Sequence, residues 1–250
     1  MLPWPTISTA PALYLGKHIA ALAVTGVLGS WYDASDLSTL FQDVAGTIPV
    51  TTPGQSIALM RDKSGLGFHL VQASPAARPI LRLDALGFYH LELDGFDDVL
   101  ASALTYNVGA THYIACSAMR LAATNAAIFG ATLSTIRYSR LRSVGTGGRV
   151  ANNYRVALGS FEAAVANSPT LVAGVIDGAA SPGYLDVGWN GTVATGTTLT
   201  TAADSIPGAA MTVGNSQLRF YAGLTLHATP SAATRRIIQK YLTSKHGAVL

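Results

Sequence analysis

The stretch "LRLDALGFYHLELDGFDDVL", residues 81–100, decides the fold class. In "YHLELD" polar and apolar residues alternate, the period of a half-buried strand. Asp94-Gly95 then gives a strong hairpin signal, and "DVL" starts a new apolar run. The chain holds only 13 acidic side chains, and Glu92, Asp94, Asp97 and Asp98 crowd into seven positions. They invite three readings: a catalytic pair, a metal site, or the turn chemistry of a β-hairpin.

Outward from this segment the same pattern recurs. Apolar or alternating runs such as "THYIACSAM", "AAIFGATL", "TLVAGVID" and "SQLRFYAGLTLHA" are separated by "GTGG", "NSP", "SPG" and "GN". Many short strands at this spacing predict an antiparallel β-sandwich. Upstream, "PVTTPGQ" and "DKSGLG" read as turns, and Ser35 as the cap of a short helical turn through Phe41. Only the end of the chain has helical spacing. Ile237 with Tyr241, and Ile238 with Leu242, predict a helix over 231–246 behind a Ser231 N-cap, with Gly247 as its C′ residue. Residues 1–28, with Pro3, Pro5 and Pro11, read as an extended N-terminal arm. Trp4, Leu13 and Tyr14 there would need a partner surface to cover them. Residues 29–250 form the sandwich domain.

Composition narrows the function. Of 250 residues only 12% are charged and 49% are hydrophobic, with a net charge of +3. A weakly charged surface suits a subunit packed among others better than a free enzyme. The basic residues are spread out rather than gathered on one face, which argues against a nucleic-acid partner. The apolar run at 19–30 is too short to span a bilayer, so no membrane insertion is expected. Cys116 is the lone cysteine and reads as a small core residue. The six histidines show neither His-x-His nor i, i+4 spacing, so zinc is unsupported.

The acidic cluster carries the sharpest chemical question. Glu92 and Asp94 are two apart on a strand and share a face. Glu-x-Asp-x-x-Asp resembles the Glu-x-Asp-x-x-Glu motif of laminarinase-type glycoside hydrolases, in which the first Glu is the nucleophile and the last the acid/base. Here Asp97 takes the last place, and Asp94-Gly95 would break the strand that the motif requires. That leaves two readings: an Asx-bonded hairpin turn, or a calcium site at Asp94, Asp97 and Asp98, because hard cations favour clustered carboxylates. Two other groups merit attention. Trp189 with Asn190 and Asp186 offers a ring and polar groups for a sugar. Arg137, Arg140 and Arg142 lie on one strand that reads either as a partner-binding surface or as a solvated strand guarding an open edge.

Three stretches taken together carry a family resemblance: "WYDASDLSTLFQDVAGTIPVTTPGQSIALMRDKSGLGFHLVQASPAARP", "LELDGFDDVL" and "FYAGLTLHATPSAATRRIIQKYLTSKHG". They resemble the concanavalin A-like, laminin-G-like jelly-roll domains of tailed-bacteriophage and prophage virion proteins. The resemblance implies a jelly roll, a virion location after assembly in the host cytoplasm, and a structural, non-enzymatic role. That role is capsid decoration or a tail or fibre part, with other virion proteins and copies of itself as partners. The alternative is a lectin-like carbohydrate-binding module that attaches to a host-surface glycan, and a glycoside hydrolase comes third. No cofactor is implied beyond calcium.

Overall fold

The computed structural model describes the backbone over 12–108, 111–120, 127–134, 137–144, 149–154, 160–164, 170–177, 183–189, 192–199, 206–214 and 217–246. Side chains are described for 15–107, 113–119, 128–131, 208–214 and 217–246. The chain opens with helix α1 (Ala12–Val24). Seven strands follow: β1 (Leu28–Asp33), β2 (Leu40–Phe41), β3 (Leu59–Met60), β4 (Leu70–Val71), β5 (Ile80–Leu83), β6 (Tyr89–Asp94) and β7 (Val99–Val108). The central strands are β8 (Thr111–Arg120), β9 (Ala127–Ser134), β10 (Arg137–Val144), β11 (Arg149–Tyr154) and β12 (Ser160–Ala164). Then come β13 (Thr170–Asp177), β14 (Gly183–Trp189), β15 (Thr192–Leu199), β16 (Ile206–Gly214), β17 (Gln217–Leu226) and helix α2 (Ala232–Thr243).

Among the described residues the strands form two antiparallel sheets of jelly-roll type. The first runs β15-β14-β13-β8-β17-β6-β5, with β1 also paired to β17. The second runs β12-β11-β10-β9-β16-β7-β4-β3-β2. Tyr32, Leu91, Leu93, Leu100, Phe129, Met211 and Phe220 fill the space between the sheets. Each such side chain contributes about 1.5–3 kcal/mol through burial. Cys116 is buried in this layer, as its sequence context predicts. A second apolar cluster covers the outer face of the first sheet. Trp31, Tyr113, Leu224 and Leu226 of the sheet meet Leu15 and Ile19 of α1 and Ile238, Tyr241 and Leu242 of α2.

α2 forms as expected. The Ser231 hydroxyl accepts from the Thr234 N–H at 3.1 Å, which satisfies one orphan donor of the first turn. Gly247 lies outside the described residues.

The N-terminal arm is a correction. Residues 12–24 are helical, not extended. A proline at the start of such a helix is tolerated, because the first N–H groups have no intrahelical partner. Leu15, Ile19 and Leu22, at helical spacing, then face the sheet and α2. The expected turn at 35–41 is smaller too, a 3-10 turn over Leu37–Thr39, and Ser35 bonds to Asp33 rather than capping it.

Two β readings also change. The Asp94–Asp98 turn does not close a hairpin. β6 pairs with β5 and β17 in the first sheet, and β7 with β4 and β16 in the second, so the turn is an arch from one sheet to the other. Leu93 and Leu100, on either side of it, both point into the shared core. A hairpin would keep them in one sheet and leave the other face of the core open. Nor does β10 guard an edge, since it pairs with β9 on one side and β11 on the other.

Candidate functional site

The motifs that carry the family resemblance converge on one buried polar network. Asp33 is almost wholly buried. Its Oδ1 accepts from the Ser35 N–H at 3.0 Å and the Ser35 hydroxyl at 2.6 Å. Its Oδ2 accepts from the Tyr241 hydroxyl at 2.7 Å and lies 2.8 Å from the Lys245 ammonium. The Tyr241 oxygen also accepts from Trp31 Nε1 at 2.8 Å. Burial pushes the Asp33 carboxyl up, but the Lys245 charge and the donated hydrogen bonds outweigh it, and its pKa is lowered overall. Asp62 organises the neighbouring loop. It accepts from the main-chain N–H groups of Trp31, Ser64 and Phe68 and from the Ser64 hydroxyl. "WYDASD", "RDKSG" and the terminal helix are therefore the parts of a structural clasp.

The acidic arch gathers three carboxylates. Carboxylate oxygens of Asp94, Asp97 and Asp98 lie within 4.8 Å of one another. Asp94 Oδ1 accepts from the Phe96 N–H at 2.8 Å, and Asp98 Oδ2 from the Asp94 N–H at 2.9 Å. Gly95 holds φ at 85°. Burial raises the Asp98 pKa, and the Asp94 and Asp97 charges add to the effect against the Asp94 N–H. The donor chemistry suits a hard cation. Three carboxylates fall short of the six to eight oxygens that calcium takes, unless water or main-chain oxygens complete the shell.

Glu92 sits on the outer face of the first sheet, 3.3 Å from Arg82 and 3.6 Å from Arg219. His90 Nε2 lies 3.9 Å away, and burial lowers the pKa of that ring. Among the described residues its ionic partners are cationic or imidazole groups, not a second carboxylate.

Trp189 pairs with Val172 and Thr192, and Asp186 with Val175, so both lie on an interior strand of the first sheet. Their side chains, and Asn190, lie outside the described residues. So do Trp4 and the side chains of Leu13, Tyr14, Arg137, Arg140 and Arg142.

A groove of about 510 Å³ opens on the outer face of the second sheet. Leu59, Val71, Val44 and Leu104 make it apolar, and Arg61 and His69 bring polar groups to it. The register explains this mixture. Leu59 pairs with Val71 and Met60 with Leu70. Met60 and Leu70 face the core, so Leu59, Val71, Arg61 and His69 face out. The Arg61 guanidinium lies 4.3 Å from the Phe41 ring centroid, and Nη2 contacts the Gly46 carbonyl at 3.5 Å. His69 Nδ1 accepts from the Asp62 N–H at 3.0 Å, which leaves Nε2 as the protonated nitrogen of the neutral ring. The sequence offered "DKSGLG" only as a tight turn. The signal for this site was an Arg and a His flanking it.

No family model matches the chain, and no curated protein matches it. Solved structures do. A GH54 α-L-arabinofuranosidase soaked with a cyclic sulfate inhibitor superposes with a TM-score of 0.65 at 11% identity, over 91% of this chain and 65% of that one. An arabinofuranosidase complexed with arabinofuranosyl-α-1,2-xylobiose gives 0.62 at 11%, with the same coverage. The binding domain of botulinum neurotoxin DC in complex with SialylT gives 0.52 at 10%, over 84% of this chain and 52% of that one. Trypanosoma rangeli sialidase in complex with sialic acid gives 0.50 at 9%, over 93% and 37%. This chain thus spans less than two thirds of each neighbour. At these identities the likeness is one of fold: a β-sandwich shared with glycosidases and a toxin binding domain. No helix among the described residues is long and apolar enough to cross a membrane.

Proposed function

We propose that this chain is a non-catalytic carbohydrate-recognition module of lectin type. The observation that supports it most is the groove on the second sheet, whose apolar floor meets an arginine and a histidine on an open sandwich face. Its volume lies in the range of small-ligand sites. The fold adds support, because its solved neighbours were captured with a substituted xylobiose, SialylT and sialic acid. The non-catalytic half of the proposal rests on Glu92. A retaining glycosidase sets two carboxyls roughly 5–5.5 Å apart, whereas Glu92 is engaged by Arg82 and Arg219. Affinity electrophoresis of the purified chain through gels containing bacterial surface polysaccharides tests the reading. Retardation by at least one polysaccharide is expected, and unchanged mobility in all of them would remove it.

A second reading, a structural virion component, is supported by the family resemblance and by two exposed apolar side chains. Phe96, on the sheet-to-sheet arch, is 88% exposed, and Leu86, in the β5–β6 turn, is 73% exposed. On this reading the two side chains belong to one contiguous docking patch. On this reading Phe96→Asp leaves a folded chain that no longer joins particles. Normal incorporation of that variant would count against docking through the arch.

A further inference from the structure

We infer that the groove on the second sheet is selective for sugars that carry a carboxylate, with Arg61 and His69 as the residues that read the acid. The inference rests on the carbohydrate reading and narrows it to one site and one ligand class. Arg61 directly follows β3 and His69 directly precedes β4, one step beyond the Met60–Leu70 pair, and both line the groove. Outward side chains at facing positions stand roughly 5 Å apart at Cβ. Two donors side by side with no acid between them form a site for an anion. Among the described residues no carboxylate pairs with Arg61. Asp62, the nearest acid in sequence, is buried, and its oxygens are taken by Trp31, Ser64 and Phe68.

Both donors are also held in place. The stack on Phe41 and the contact to Gly46 fix the plane of the guanidinium. A planar fork so fixed suits a carboxylate in two-point contact. The Asp62 N–H fixes the tautomer of His69 and leaves Nε2–H as a donor. Leu59, Val71 and Leu104 then supply aliphatic surface for the C–H face of a sugar ring. Gly67 lines the lip with φ at 81°, a backbone conformation that L side chains rarely adopt. A neutral sugar fills the same floor but leaves the two donors without an anionic partner.

The test titrates the full chain with 3′-sialyllactose, a glucuronate-containing disaccharide and lactose, followed by calorimetry at low salt. Wild type, Arg61→Gln and His69→Ala are compared, with circular dichroism confirming that each is folded. At least one acidic sugar is expected to bind roughly tenfold or more tightly than lactose. Arg61→Gln should erase that preference, and His69→Ala should reduce it. Equal binding of acidic and neutral sugars, or a preference that survives Arg61→Gln, overturns the groove assignment while the carbohydrate reading stands. No binding of any sugar overturns both.

Discussion

Tyr241 and Asp33 lie 208 residues apart in sequence, and the tyrosine hydroxyl donates to Asp33 Oδ2 at 2.7 Å. The tyrosine oxygen in turn accepts from Trp31 Nε1 at 2.8 Å. One phenol thus joins the last helix to both ends of "WYD". Tyr241→Phe leaves a buried indole N–H without an acceptor and a buried carboxylate short of one donor. The expected loss is about 1–3 kcal/mol, read as a lower urea midpoint at unchanged m-value. A midpoint equal to wild type would mean that the clasp is decorative.

Asp33 also sets an acid limit. Its pKa in the folded chain is lowered, against burial, by Lys245 and by donated hydrogen bonds. Its contribution is therefore complete above the unfolded aspartate value of about 3.9 and is lost as pH falls through the lower folded value. The stability gap between wild type and Asp33→Asn should shrink as pH drops below about 4. Denaturant melts from pH 7 to pH 2 measure this, and a gap that widens on acidification contradicts the assignment.

Asp98 works the other way. Its carboxyl is raised by burial, with the Asp94 and Asp97 charges adding to it. In acid the folded and unfolded forms are both protonated, so no penalty arises. The penalty appears as pH rises through about 3.9 and is complete above the raised folded value. Asp98→Asn keeps an acceptor for the Asp94 N–H and removes the charge. A rise of about 2 °C in Tm at pH 7, with none at pH 3, is expected in metal-free buffer. Destabilisation at pH 7 with none at pH 3 would show that the charge is itself needed.

The arch depends on Gly95. Its φ is 85°, and a Cβ there would come within 2.8 Å of the Gln217 backbone nitrogen. Gly95→Ala combines left-handed strain of about 1–2 kcal/mol with a backbone clash. Thermal melts should show a loss beyond the strain alone, whereas a neutral outcome would require β17 to move away.

α1 is part of the domain. Ile19 is fully buried against Trp31 and α2. Ile19→Ala should cost about 2–5 kcal/mol. An extended, detachable arm would lose nothing, so chemical denaturation separates the two pictures.

Much of this fold was legible in residues 81–100 and 231–246. Alternation at Leu91 and Leu93 gave the strand, and Ser231 with the Ile238–Leu242 spacing gave the helix. The destination of the strand after Asp94-Gly95 was hidden. A hairpin and an arch use the same Asp and Gly turn chemistry, and only the pairing of β7 with β4 and β16 separates them. α1 was hidden by the prolines before it, although Leu15, Ile19 and Leu22 already carried a helical stripe. The groove was hardest to see. Its floor comes from two-residue strands too short to show a period, and Arg61 and His69 line one groove only once the loop between them folds around Asp62.

The central claim is sugar recognition without cleavage. An array of neutral and acidic glycans, probed with the purified chain and analysed for released reducing ends, tests it most directly. The account predicts saturable retention of at least one glycan, with every retained glycan left intact. No retention anywhere on the array, or release of reducing ends from a retained glycan, would contradict it.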